Sequence, residues 1–162
     1  MDNTERDKLV ALYRDGYRAV AEALHHVTDE EMAARPAPSR WSACDIIHHL
    51  ADSEMVAAVR LRMLLALDRP TIQGYDQDAF AQRLHYDRPY EASLEAFRYA
   101  RESTAQLLER LTEDEWLREG THTDIGPYGV LKWLEIYGKH AHSHARQIVE
   151  AIGLARKAGT TT

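Results

Sequence analysis

The sequence predicts an all-α protein: an antiparallel four-helix bundle with short extra helices and long crossover loops. The chain has 162 residues, enough for one domain with its own core, so we treat residues 1–162 as a single domain. Leu, Ala, Glu and Arg are frequent and β-branched residues are sparse, which favours helix over strand. Apolar residues recur at steps of three and four in four long segments, as on one face of a helix.

Each break between the expected helices has a signal in the sequence. A proline-containing stretch ends the first helical region, and Ser42 followed by Asp45 resembles a capping box at the start of the next long helix. A threonine precedes each of two short helices as its cap. Gly153 is expected to end the last helix, and residues 156–162 to fray. The expected helices are Thr4–His26, Asp29–Ala34, Ser42–Leu67, Gln77–Leu84, Tyr90–Leu111, Glu113–Leu117 and Tyr128–Ile152.

The connection at residues 71–89 is unusually long for a compact domain. Connections of this length usually carry a function or are mobile, so we expect it to cover a site. Its polar and aromatic residues Tyr75, Asp76 and Tyr86 are candidate pocket residues, as is His122 from a later loop.

Charge and composition exclude several functional classes. The net charge is −6, from 20 basic and 26 acidic residues, and no basic cluster suggests nucleic-acid binding. The one cysteine, Cys44, excludes an internal disulfide. The N-terminus lacks the apolar core of a signal peptide, and no apolar run approaches the ~20 residues that span a bilayer. We therefore expect a cytoplasmic protein that binds neither nucleic acid nor membrane.

Five of the nine histidines fall in two clusters. His140 and His144 are four residues apart, so their rings share one face of a helix, whereas His142 points to the opposite side. Such a pair can hold one divalent ion, but only weakly without a third ligand. The third ligand is expected from the other cluster, from His49 or from its neighbour His48. The two histidines that are not ligands are expected to face solvent or to support the ligands.

The spacing alone leaves alternatives open. A histidine pair of this kind also occurs by chance on amphipathic helices that bind no metal. Asp45 and Asp52 lie one turn before and after His49, where a carboxylate could orient a ligating imidazole, and this favours His49 over His48 only slightly. Three imidazoles with an open fourth position would form a catalytic type of zinc site, and nickel would fit as well.

Two motifs resemble those of the DinB-like family of metal-binding four-helix bundles. They read WSxxDIIxHLxD at residues 41–52 and YxxHxxxHxxQI at residues 137–148, and the resemblance extends over about residues 5–155. It implies that His49, His140 and His144 hold one divalent ion. The sequence departs from the family at Asp45, where Glu or Gln is common, but this position belongs to the helix start.

The resemblance also implies an activity. Members of the broader family include thiol-dependent S-transferases, so we expect transfer chemistry that uses a low-molecular-weight thiol and a small-molecule substrate. A thiol that coordinates a metal loses its proton at neutral pH. The alternatives are metal-dependent hydrolysis, in which the metal activates water, and a non-catalytic metal-binding or dimerisation bundle. A homodimer is expected as a possible state.

Overall fold

The computed structural model describes residues 1–37 and 39–159, and four long helices dominate it. The four-helix bundle predicted from the sequence is confirmed. None of the helices in this part of the chain is long and apolar enough to cross a membrane. The elements are α1 (Asn3–Ala23), α2 (Asp29–Ala33), α3 (Ala43–Ala66), β1 (Thr71–Ile72), α4 (Gln77–Arg83), α5 (Glu91–Leu108), α6 (Glu113–Trp116), β2 (Glu119–His122), β3 (Gly126–Gly129) and α7 (Val130–Gly159).

The four long helices form two parallel pairs. Helix α1 packs against α7 and α5, and α3 packs against the same two helices, so α1 and α3 lie diagonally across the bundle. Within the α3–α5 pair, His48 contacts Ser93 near the start of each helix, and Arg62 contacts Thr104 near the end of each. Helices α3 and α5 therefore run in the same direction.

The α1–α7 pair shows the same arrangement. His142 contacts the carbonyl of Leu12, and further along both segments Arg156 contacts the carbonyl of His26. The two pairs run in opposite directions, so the expected antiparallel packing holds between α1 and α5 and between α3 and α7. Because α3 and α5 are parallel neighbours, the chain must return along the bundle between them, which explains the long connection before α5.

The structure also contains a small sheet, which the sequence analysis does not predict. Strand β1 pairs in parallel with β2, with Thr71 opposite Thr121, and β2 pairs antiparallel with β3, with Thr121 opposite Pro127. Gly126 has a φ of 76°, which a glycine adopts easily in the β2–β3 hairpin. Strand β3 leads directly into α7. The sheet thus joins the long connection to the start of the last helix.

The predicted caps at the starts of the helices are confirmed. The Ser42 hydroxyl accepts a hydrogen bond from the Asp45 amide at 3.1 Å, and the Ser42 amide donates to the Asp45 carboxylate at 2.8 Å. Equivalent capping boxes start the two short helices α2 and α6, at Thr28 and Thr112. These local bonds satisfy amide groups that have no partner within the helix.

The last helix extends further than predicted. Gly153 was expected to end it, but α7 continues to Gly159, so both that cap and the predicted fraying of residues 156–159 are wrong. The Arg156 guanidinium donates to the Glu31 carboxylate at 2.7 Å, which ties this part of α7 to α2. The remaining residues of the predicted frayed tail, 160–162, lie outside the described part of the chain.

A buried ion pair lies inside the bundle. Arg101 of α5 and Glu54 of α3 are each 1% exposed, and they form a salt bridge. Arg101 also donates to the backbone carbonyls of Tyr13, at 2.6 Å, and Tyr137, at 3.2 Å. The Tyr13 hydroxyl donates to the same carboxylate. One guanidinium therefore connects all four long helices.

Candidate metal centre

Three histidines from two antiparallel helices meet between α3 and α7. His49 lies near the start of α3, and His140 and His144 lie one turn apart in α7. The ring centroids are 4.5 Å apart for His140 and His144, 4.8 Å for His49 and His144, and 5.4 Å for His49 and His140. One nitrogen from each ring lies within 4.8 Å of the other two. The structure thus brings together the three histidines that the sequence analysis expects as ligands.

The arrangement of the nitrogens fits a divalent metal ion. The Nε2 atoms of His140 and His144 are 3.1 Å apart, and two nitrogens on a tetrahedral zinc ion are about 3.3 Å apart. Nδ1 of His144 donates to the side-chain oxygen of Gln147 at 2.7 Å. This bond leaves Nε2 without a proton and facing the centre, as metal binding requires. Imidazole donors suit zinc and nickel alike.

Burial keeps the three imidazoles neutral. Loss of solvent lowers the pKa of His49 to about 4 and that of His140 to about 2, and the neighbouring histidines add to the effect. Burial also lowers the pKa of His144, although its bond to Gln147 opposes the shift. At neutral pH all three rings are therefore in the unprotonated form that binds metals.

The two other clustered histidines have separate roles. His48 does not face solvent: it is fully buried, with Nδ1 2.8 Å from the Ser93 hydroxyl and Nε2 3.1 Å from the Arg88 carbonyl. It therefore attaches the long connection and α5 to α3, next to His49. His142 contacts the Leu12 carbonyl at 3.2 Å and lies on the α1 side of α7, away from the three-histidine group.

The carboxylates that were expected to orient His49 are bound elsewhere. Asp45 caps α3, and Asp52 accepts a hydrogen bond from the Tyr86 hydroxyl at 2.8 Å. Among the described residues neither carboxylate bonds to His49. Gln147 performs this orienting role, for His144 instead. The second motif contains Gln147 on the same face as the histidines, so the sequence did carry this signal.

A cleft of about 370 Å³ opens beside the histidines. The Trp41 ring packs against His49 with centroids 4.9 Å apart, and it forms one wall. Gln77 and Asp78 of helix α4 also line the cleft, so the long connection borders the site as expected. The cleft is lined by Ser39, Arg40, Trp41, Gln77, Asp78, His144 and Gln147.

The four candidate pocket residues separate into two groups. Tyr86 lies near the site, because its hydroxyl binds Asp52, one helical turn after His49. Tyr75 lies near the same carboxylate, and burial, with a smaller effect of the Asp52 charge, raises its pKa. Asp76 instead caps α4, and His122 is buried in the sheet beside the ring of Tyr128. Only Tyr75 and Tyr86 are therefore placed to affect the centre.

Comparison with known proteins identifies distant relatives. A protein of Oceanobacillus iheyensis is 28% identical over 142 residues, which cover 88% of this chain and 69% of the relative. One of Halalkalibacterium halodurans is 23% identical over 145 residues, which cover 90% of this chain and 71% of the relative. Both relatives are named as candidate metal-dependent hydrolases.

A solved structure shares the fold. YfiT of Bacillus subtilis, described as a candidate metal-dependent hydrolase with an unusual four-helix bundle topology, matches with a TM-score of 0.86 at 24% identity. The match covers 98% of this chain and 90% of YfiT. The sequence profile of the DinB superfamily matches residues 12–148, which include all three histidines of the centre. The chain therefore belongs to the DinB superfamily.

Proposed function

We propose that the protein is a metal-dependent hydrolase that holds one divalent ion, zinc or nickel, on His49, His140 and His144. The convergence of three neutral imidazoles beside an open cleft carries this proposal. No fourth His, Cys, Asp or Glu joins the group within the described residues. Structural zinc sites usually have four protein ligands, so a three-ligand site favours catalysis over a purely structural role.

The surrounding residues have defined tasks in this proposal. A divalent ion in the site would supply a Lewis acid and lower the pKa of a coordinated water. Gln147 fixes the ring of His144, and Trp41 shields His49 from solvent on one side. Asp52 is the carboxylate that we assign to proton acceptance: it lies one helical turn after His49, and Tyr86 holds its Oδ2 atom.

Thiol-dependent transfer, the activity expected first from the sequence, uses the same site. An ion with three protein ligands has an open position that either a thiolate or a water molecule can occupy. The names of both relatives support the hydrolytic alternative, and neither mentions transfer. A non-catalytic bundle is the third alternative. The activity assay must therefore be run with and without thiol.

The test combines metal analysis with turnover. Untagged protein, purified without nickel resin, is assayed for metal content and for hydrolysis of ester, amide and phosphate substrates. We expect about one metal equivalent per chain and hydrolysis without thiol, both lost in His140→Ala. His142→Ala is the matched control, because His142 lies in the same helix but contacts Leu12 instead of the centre.

Three outcomes would contradict the proposal. Turnover only with bacillithiol, mycothiol or glutathione would assign transfer chemistry. Bound metal without turnover on any substrate would favour the non-catalytic bundle. Turnover that survives in His140→Ala would place the reaction elsewhere. For the role of Asp52, Asp52→Asn should retain the metal but lower kcat. An unchanged kcat would remove Asp52 from the proposal.

A further inference from the structure

An apolar groove of about 430 Å³ follows the outer side of α3, beside β1 and the start of the long connection. Met55, Val59 and Met63 form its apolar wall, and Met55 and Val59 are 44% and 58% exposed. Tyr75 also lines the groove. Arg60 is the one charged residue among the described residues that line it. The groove therefore combines an apolar surface with a single positive charge.

Arg60 is buried without a counterion. It is 8% exposed, and it donates to the Tyr137 hydroxyl at 3.1 Å and to the Gln73 carbonyl at 2.6 Å. No carboxylate lies within salt-bridge distance of it in the described part of the chain. Burial of a charge without a partner is costly, and Arg101 shows the usual solution in this protein, a salt bridge to Glu54. An anion at Arg60 would supply the missing partner.

We propose that Arg60 binds the carboxylate of a small amphipathic ligand whose apolar part lies along Met55 and Val59. A guanidinium has five N–H donors, and the two side-chain and backbone bonds leave donors for a carboxylate. The exposed apolar side chains supply contact for a hydrocarbon chain without a second polar group. A neutral ligand of the same length would leave the charge of Arg60 uncompensated.

The position of this site suggests a substrate class for the metal centre. The Tyr137 ring lies between them: its centroid is 5.9 Å from that of His140, and its hydroxyl is 3.1 Å from Arg60. A carboxylate on Arg60 would therefore be one tyrosine ring away from the three histidines. If the proposed hydrolytic function holds, on which this extension rests, the substrate carries an anionic group remote from the bond that is cleaved.

The test measures binding, which is independent of turnover. Octanoate, below its micellar concentration, is titrated into metal-free and metal-loaded protein by calorimetry, and 1-octanol is the neutral probe of equal length. We expect saturable octanoate binding in both forms, and binding of 1-octanol at least about tenfold weaker. Arg60→Met should weaken octanoate binding by a similar factor, and Arg60→Lys, which keeps the charge, should restore part of it.

The control variant is Arg62→Met. Arg62 belongs to the same helix, but it contacts Ala58, Thr104 and Ser103 outside the groove, so octanoate binding should be unchanged. The octanoate and octanol comparison in the wild type decides the question even if Arg60→Met does not fold.

Several results would overturn the inference. Equal affinity for the two probes, or no octanoate binding, would show that Arg60 does not recruit a carboxylate. Octanoate binding that requires the metal and is lost in His140→Ala would place the carboxylate on the ion. A dimer that Val59→Asp dissociates, together with absent octanoate binding, would assign the groove to a second copy of the chain. Failure of hydrolysis with intact octanoate binding would contradict only the proposed function.

Discussion

Replacement of Arg101 by methionine should destabilise the bundle severely. The substitution removes the salt bridge to Glu54 and two hydrogen bonds to backbone carbonyls, and it leaves a carboxyl group that is only 1% exposed without its cation. Loss of one partner of a buried ion pair costs about 3–5 kcal/mol, against a total of roughly 5–15 kcal/mol for a domain. For this chain length the melting temperature should fall by roughly 6–20 °C.

The same substitution should also change how the stability of the protein depends on pH. Burial already raises the pKa of Glu54, although Arg101 opposes the rise, and without Arg101 the pKa should rise further. A carboxyl with a raised pKa in the folded state binds its proton more tightly there than in the unfolded chain. The contribution of Glu54 to the stability of Arg101→Met should therefore be greatest below its unfolded pKa, about 4.3, and fall as the pH rises through the folded pKa.

Urea unfolding followed by circular dichroism measures the effect. Arg98→Met is the matched control: Arg98 lies one turn away in α5, its salt bridge to Glu95 is at the surface, and its loss should cost less than about 1 kcal/mol. Adding Glu54→Gln to Arg101→Met should recover part of the loss, because the uncompensated charge is removed. A stability within 1 kcal/mol of wild type, or a difference from wild type that does not change with pH, would refute this reasoning.

Three further predictions concern packing and the centre. Gly16→Ala should destabilise the protein by about 1–3 kcal/mol, because the new Cβ would lie within 2.7 Å of atoms in α5 and α7. Gly153→Ala should stabilise the protein by about 0.5–1 kcal/mol, because nothing lies within 4 Å of its Cβ. Urea midpoints that move the other way would contradict these expectations. When the pH is lowered from 7.5 to 5.5, the free energy of unfolding of the metal-free protein should fall by about 1.4 kcal/mol for each of His49 and His140, because these rings bind a proton in the unfolded chain but not in the folded one. An unchanged unfolding midpoint would argue against this prediction. Gln147→Ala should weaken metal affinity about 10- to 100-fold in a chelator competition, and unaltered affinity would show that the bond to His144 is unimportant.

The parts of the structure that local rules determine could be predicted from the sequence. Helical periodicity located the four long helices, and Ser42 with Asp45 located the start of α3. The interval of four between His140 and His144 placed both rings on one face, because the pitch of a helix is fixed. The choice of His49 over His48 required the resemblance to a family, because the geometry of one helix barely separates two adjacent residues.

The remaining features depend on contacts between distant segments. Glu54 and Arg101 resemble ordinary surface residues in the sequence, since nothing local indicates that each will meet its counterion inside the bundle. The same holds for the burial of His48. The strands have two to four residues, and β3 consists of Gly, Pro, Tyr and Gly, so no alternating pattern marks them. The parallel direction of α3 and α5 follows from packing, which the length of the connection only suggests.

The arrangement of the helices also determines when the centre can form. His49 belongs to the second long helix and His140 and His144 to the last, so the ligands are far apart along the chain. Contacts between distant segments form late, because the intervening chain must first be ordered. A growing or partly folded chain thus carries only a weak two-histidine or one-histidine site. Capture of an ion would then mark a completed fold, and metal uptake followed during refolding should coincide with the docking of α7 onto α3.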